Sequence, residues 1–265
     1  MSARTALVTG ASSGIGAAVA AALAARGHRV LGTSRDPSRL ADPVPGVTWL
    51  PLDLADDASV VACAEAAGPV DVLVNNAGES QSGPLEELPP GAVERLFRIN
   101  VFGAVRLTQL LLPGMRERGY GRVVMVGSML ASFPLAYRSS YVASKAAIKG
   151  FANAARREVA GYGVGITTVE PGSIATGISE RRTQYLRDGS PFAAEYHTML
   201  AALNANEAAG ITAERVAATV LKAIDARRPR QLYAVGSGAP LVFALRRLAP
   251  RATVERMVAR RHGLR

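Results

Sequence analysis

Thr5-Ala6-Leu7-Val8-Thr9-Gly10-Ala11-Ser12-Ser13-Gly14-Ile15-Gly16 runs straight into an alanine-rich segment from Ala17 to Ala25. An apolar strand, a glycine-rich turn and a helix in that order decide the fold. Gly10, Gly14 and Gly16 let the backbone turn tightly and approach a pyrophosphate, whose charge meets free N–H groups and the positive end of the helix dipole. The spacing Gly-x-x-x-Gly-x-Gly differs from the general Gly-x-Gly-x-x-Gly fingerprint but stands in the same strand, turn and helix context. A plain flexible turn is the competing reading, and the regular segments on both sides argue against it.

Working outward, strand-length apolar runs near 4–9, 29–33, 47–50, 71–75, 121–127, 164–169 and 231–235 alternate with helical stretches near 15–26, 56–67, 91–118, 139–161 and 212–226. This alternation predicts an α/β fold, a doubly wound parallel sheet of about seven strands with helices on both faces. Pro113 is expected to kink or shorten the 91–118 helix, with Gly119 and Gly121 marking its end. Residues 177–209 break the rhythm and read as an irregular, mobile flap over a site. At 265 residues with 49% hydrophobic content and no linker or repeat, one domain spanning 1–265 is expected.

Bulk properties exclude several classes. No charged, then apolar, opening segment marks a secretory signal, and no apolar run is long enough to span a bilayer. Cys63, the lone cysteine, has no partner in the chain and reads as an ordinary buried helix position, which fits a reducing cytoplasm. His28, His197 and His262 lack metal-ligand spacing, and none of them is expected to hold a metal. The net charge of +10 is concentrated at the end of the chain, in a basic segment over 239–265. Arg246, Arg247, Arg251, Arg256, Arg260, Arg261 and Arg265 face only Glu255 there, interspersed with Leu248, Val254, Met257, Val258 and Leu264. Such a helix either lies on an anionic membrane or a partner, or packs its apolar side on its own subunit or an oligomer interface; the second reading is the commoner one. With 5% aromatic residues and no recognisable nucleic-acid-binding pattern, nucleic acid is not expected as a partner.

Tyr141 and Lys145 lie four residues apart in Tyr141-Val142-Ala143-Ser144-Lys145, so a helix places both on one face, thirteen residues after Ser128. A free phenol, with a pKa of about 10, is a poor base near neutrality unless a cation stabilises its phenolate. Lys145 supplies that cation, and a serine hydroxyl such as Ser128 can hold a carbonyl oxygen during proton transfer. An aromatic and a lysine at this spacing also serve simply to cover apolar surface, so the pair gains meaning from the rest of the chain.

Thr9 to Gly16, Asn75-Asn76-Ala77-Gly78, Ser128, Tyr141-x-x-x-Lys145 and Pro171-Gly172 occur together and in order. The chain thereby resembles the short-chain dehydrogenase/reductase family over nearly its whole length. The resemblance implies a Rossmann-type sheet, a nicotinamide cofactor, and catalytic Asn100, Ser128, Tyr141 and Lys145, with Asn100 supporting a water-linked proton relay. It assigns the cofactor to Gly10, Ser12, Ser13, Gly14, Ile15, Gly16, Ser34, Arg35, Asp53, Leu54, Asn76, Ala77, Gly78, Tyr141, Lys145, Pro171, Gly172, Ile174 and Thr176. Arg35, after Ser34 where NAD-preferring members carry aspartate, looks like a ligand of a 2′-phosphate and points to NADP(H). Asp36 lies about twenty residues past the last glycine, where a ribose acid can sit, although its position before Pro37 suits the start of a turn. Ser13 stands where some NADP-dependent members place a basic residue.

Substrate contacts are expected from Ser128, Leu130, Phe133, Leu135, Tyr141, Phe192 and Tyr196, with Met129 and Met199 nearby. These walls are mostly apolar and favour a lipophilic or aromatic ketone or aldehyde interconverted with its alcohol. A homodimer or homotetramer through the 91–118 and 139–161 helices is implied. Two alternatives belong to other classes: a cofactor-binding regulator without chemistry, against which the intact proton-transfer set speaks, and a membrane-associated scaffold held by the basic segment.

Overall fold

The computed structural model describes residues 3–177 and 180–264. Nine strands are formed among them: β1 Thr5–Val8, β2 Arg29–Ser34, β3 Val47–Pro51, β4 Val72–Asn75, β5 Gln81–Ser82, β6 Gly121–Val126, β7 Val164–Pro171, β8 Thr183–Gln184 and β9 Leu232–Val235. The α-helices are α1 Gly14–Ala24, α2 Asp57–Ala67, α3 Pro90–Phe97, α4 Ala104–Glu117, α5 Ser139–Val159, α6 Ala193–Ala208, α7 Ala213–Asp225, α8 Ala239–Leu248 and α9 Arg251–Arg261.

Seven strands form one sheet in the order β3-β2-β1-β4-β6-β7-β9, and every pairing is parallel. Alternation along the strands divides their side chains between two cores, as the two-residue period requires. Leu7, Leu31, Leu73, Val123 and Ile166 join α2, α4 and α5 on one face. Ala6, Val8, Val30, Val72, Val74 and Val124 join α1 and α7 on the other. The chain is a doubly wound α/β domain of the Rossmann type. Its winding reverses between β1 and β4, and the crevice beyond the carboxyl ends of those strands is where such sheets bind ligands.

Three expectations are corrected. Pro113 lies exposed inside α4, which continues through it; the break in the regular ladder comes earlier, in the π-helical stretch Arg98–Gly103 that joins α3 to α4. The 177–209 segment is not irregular throughout, because α6 fills its second half. Tyr196, Met199, Leu200 and Leu203, at i, i+3, i+4 and i+7, bury one face of α6 against Leu135 and Leu264. Its beginning is tied down as well: β8 pairs with β5, and Arg182 is buried in an ion pair with Glu207. Ile178 and Ser179 of that segment, and Arg265 of the basic segment, lie outside the described residues. Finally, the basic segment is two helices. After the turn Gly236-Ser237-Gly238, all at positive φ, α8 and α9 fold back onto the body. Ala239, Val242, Phe243, Val254 and Val258 pack against Met129 and Phe133. Part of the basic segment's apolar side thus packs on its own chain.

Candidate active site

The carboxyl ends of the strands open into a cavity of about 550 Å³. At one end, Gly10, Ser12, Ser13, Gly14 and Ile15 line the wall. The Ser13 side chain does not cap α1, so the first-turn N–H groups are left for a ligand. Gly16 is not part of the wall; it lies beneath it. A Cβ there would sit 2.1 Å from the Gly10 carbonyl oxygen and 2.5 Å from Asn76 Nδ2, so only glycine lets the helix close under the turn. Thr9 fastens β1 to the neighbouring turn, its Oγ1 accepting from the N–H groups of Asn76 at 2.9 Å and Ala77 at 3.0 Å. Asn76 Nδ2 in return donates to the Thr9 and Gly10 carbonyls. Asn76, Ala77 and Gly78 therefore reach the cavity from β4, facing the glycine turn across the sheet's switch point.

Ser34, Arg35, Asp53 and Leu54 line the far end of the same cavity. Ser34 Oγ is buried with no partner, an orphan acceptor and donor of the kind that a bound polar group satisfies. Arg35 is exposed and has no carboxylate partner among the described residues. Asp36 faces its own turn, accepting from Ser38 N at 3.1 Å and pairing with Arg39. Asp53 Oδ1 accepts from Ala55 N at 2.9 Å. Pro171 at the end of β7, and Gly172, Ile174 and Thr176 in the loop after it, line the cavity as well. Thus the glycine cradle, the uncapped helix start, the orphan hydroxyl and a free guanidinium all fit an anionic dinucleotide.

At the other end, α5 presents Tyr141 and Lys145 on one face, both only 7% exposed and both in the cavity wall with Ser128. Lys145 Nζ donates to the Val126 carbonyl at 3.0 Å and lies 5.9 Å from the centre of the Tyr141 ring. Ser128 caps a short turn, its Oγ accepting from Leu130 N at 3.2 Å. Asn100 lies behind the wall, 3% exposed. Its Oδ1 accepts from Glu79 N at 2.8 Å, and its Nδ2 donates to Glu79 O at 3.0 Å and Ser144 Oγ at 3.1 Å. Asn100 so braces the segment after Gly78 against α5.

The substrate walls differ from expectation. Leu130 and Phe133, with Met129, do face the cavity. Leu135, Phe192 and Tyr196 do not. Leu135 and Tyr196 are buried in the core around α6, where Tyr196 Oη bonds Ser82 Oγ at 2.8 Å, and Phe192 packs edge-on to Tyr137. α6, held inward by its own apolar face, gives the cavity only Leu203 and Glu207, and α8 and α9 close it through Val242, Leu245, Val254, Met257 and Val258, with Arg246, Arg261 and His262 beside them. The apolar residues of the basic segment carried this signal, but spacing alone cannot say which surface they cover.

A second cation was not foreseen. Arg138, 2% exposed, lies with its guanidinium 4.3 Å from the centre of the Tyr141 ring and donates to Gln81 O and Ser80 Oγ. Burial pushes it down to about 10, opposed by Tyr141, so it stays charged at neutral pH. Among the described residues, no cluster of His, Cys, Asp and Glu is arranged to hold a metal.

Residues 4–186 match the family model described as short chain dehydrogenase. The chain belongs to the short-chain dehydrogenase/reductase family. This oxidoreductase is 34% identical over 96% of its length to the dehydrogenase/reductase SDR family member 7B of Xenopus laevis, covering 80% of that protein. A short-chain dehydrogenase structure from Streptomyces avermitilis superimposes with a TM-score of 0.84 at 34% identity, over 98% of each chain. Two further solved family members hold different cofactors. One from Burkholderia cenocepacia in complex with NADP has a TM-score of 0.78 at 28% identity, over 97% of each chain. One from Burkholderia phymatum in complex with NAD has 0.79 at 26% identity, over 93% of this chain and 92% of that one. The short-chain dehydrogenase/reductase fold binds nicotinamide cofactors, and here the glycine cradle shares one cavity with Ser128, Tyr141 and Lys145.

Proposed function

We propose that the chain is an NADP(H)-dependent reductase of a lipophilic ketone or aldehyde. The observation that carries this reading is one continuous cavity, with Ser128, Tyr141 and Lys145 between an anion-binding cradle and apolar walls. Arg35, free of any carboxylate among the described residues and adjacent to the orphan Ser34 hydroxyl, supports the 2′-phosphate. Asp36, engaged with Ser38 and Arg39, is not aimed at a ribose.

A bound nicotinamide supplies or accepts the hydride at the substrate carbon. The chain's own residues handle the oxygen. The Ser128 hydroxyl orients the carbonyl, and Tyr141 gives its phenolic proton to the oxygen as negative charge develops there. Lys145 and Arg138 place two cations beside the Tyr141 ring, one on the same helix face and one over the ring. Asn100 keeps the Gly78 segment and α5 in register, which supports the relay role expected for it. Met129, Leu130, Phe133, Val254 and Val258 exclude water and accept an apolar body. Exposed Phe102 and Phe151, 57% and 48% accessible beside α4 and on α5, support assembly as a homodimer or homotetramer. Buried Cys63 accords with a cytoplasmic setting.

The test is a screen of ketones, aldehydes and alcohols with NADPH and NADH, run beside Tyr141→Phe. Turnover of apolar carbonyl compounds that prefers NADPH and vanishes in the variant is the expected result. Tight cofactor binding with no turnover on any compound would overturn the reading in favour of a regulator.

A further inference from the structure

α8 exposes three leucines to its outer side. Leu241, Leu245 and Leu248 are 66%, 45% and 85% exposed, and their i, i+4, i+7 spacing makes them one stripe. The other side of the helix is fully used: Val242 and Phe243 pack on the body, with the Phe243 ring 5.0 Å from that of Phe133. On α9, Val254 and Val258 likewise face inward while Met257 is 53% exposed.

Charge surrounds this apolar stripe. Between 239 and 264 stand Arg246, Arg247, Arg251, Arg256, Arg260 and Arg261, all exposed, against Glu255 alone. None of the six has a carboxylate partner among the described residues. A leucine stripe flanked by unpaired arginines suits the boundary between acyl chains and anionic headgroups. A second copy of the chain fits worse, since a two-fold contact would bring these arginines against their own equivalents. The cavity also opens here: Leu245, Arg246, Met257 and Arg261 are exposed and line it at once.

We propose that the α8–α9 face docks on an anionic lipid bilayer, with the leucine stripe at the acyl boundary and the cavity mouth held against the membrane. Entry of a lipid-dissolved substrate by that mouth rests on the carbonyl-reductase reading above; the docking itself does not.

The experiment is flotation of the full chain with vesicles of phosphatidylcholine alone or mixed with phosphatidylglycerol, at low and high salt. The protein is expected to float with the mixed vesicles and to be released by salt. Leu241→Asp with Leu248→Asp removes the stripe without touching the cavity wall, and should abolish flotation while circular dichroism and NADPH titration stay unchanged. Arg247→Gln with Arg251→Gln is the second variant and should weaken binding about 25-fold, at roughly fivefold per arginine near an anionic surface. No flotation with mixed vesicles, or flotation unaffected by both variants, overturns the proposal. So does a concentration-dependent dimer that only the leucine variant dissolves, which would assign the stripe to self-association. Docking can fail while ketone turnover persists, and turnover can fail while docking persists.

Discussion

Lys149→Met tests the ion pair that holds part of the cavity wall to the sheet. Glu170, at the end of β7 and fully buried, accepts from Ser132 Oγ at 2.7 Å and lies 2.8 Å from Lys149 Nζ. Lys149 directs its hydrogen bond to Ser132 Oγ at 2.6 Å, so its tie to Glu170 Oε1 is ionic contact alone. Ser132 ends the turn that carries Met129 and Leu130 into the cavity. Removing one partner of a buried pair costs about 3–5 kcal/mol, because the other charge is left uncompensated. The Ser132 hydroxyl still serves Glu170 and the Lys149 side chain is 21% exposed, so the lower end, about 3 kcal/mol, applies. At roughly 2–4 °C per kcal/mol for a domain of this size, Tm should fall by about 6–12 °C. Glu170→Gln should do less harm, about 1–2 kcal/mol, because Lys149 can turn to water. Combining the two changes should recover much of the loss. Denaturant unfolding and calorimetry on the three variants check the order. If Glu170→Gln is as damaging as Lys149→Met, or if both fall within about 0.5 kcal/mol of the parent, the reasoning fails.

Tyr141→Phe should lower turnover by about 10²–10⁴ with NADPH affinity retained, read by steady-state kinetics beside cofactor titration. Ser34→Asp with Arg35→Ala should move preference from NADPH to NADH, seen in the ratio of kcat/KM values; an unchanged ratio would remove the 2′-phosphate role from Arg35. His262, buried in the cavity wall, has its pKa lowered chiefly by burial, against the Val258 carbonyl bond that favours the cation. The unfolded chain then binds the proton more readily, so stability is unaffected above about pH 6.5, declines as pH falls through the window, and carries the full penalty below the folded pKa. Tm measured from pH 8 to 5 should therefore fall less in His262→Gln than in the parent. Burial pushes the Cys63 thiol up to about 11, so thiol reagents at pH 8 should label it only in denaturant.

The parts read correctly from sequence are those set by local spacing. The parallel sheet follows from apolar runs and turns, and Tyr141 and Lys145 meet because four residues are one helical turn. What depended on a tertiary choice was not legible in the same way. Residues of α6 and α9 both offered apolar faces, and α6 took the core with Tyr196, Met199 and Leu200 while α9 took the cavity. Sequence spacing thus points Leu135 and Tyr196 at a wall that residues of α8 and α9 provide. Arg138 carried no signal either, since a buried arginine in a loop looks like a solvated one until its partners are seen.

Asn100 illustrates how small such a signal can be. A regular helix turns 100° per residue, so Ile99, Asn100, Val101 and Gly103 would span more than half its circumference, yet all four are buried. In the π-helical stretch the Asn100 amide is aimed at Glu79 and Ser144, and Leu96 before it and Leu107 after it are buried as well. The wider turn presses its backbone onto the β3–α2 connection, where a Cβ at residue 103 would sit 2.3 Å from the Leu54 carbonyl oxygen. Only glycine fits there. The brace between the segment after Gly78 and α5 therefore depends on a helix defect that Gly103 permits, and the same contact fixes Leu54 in the cavity wall.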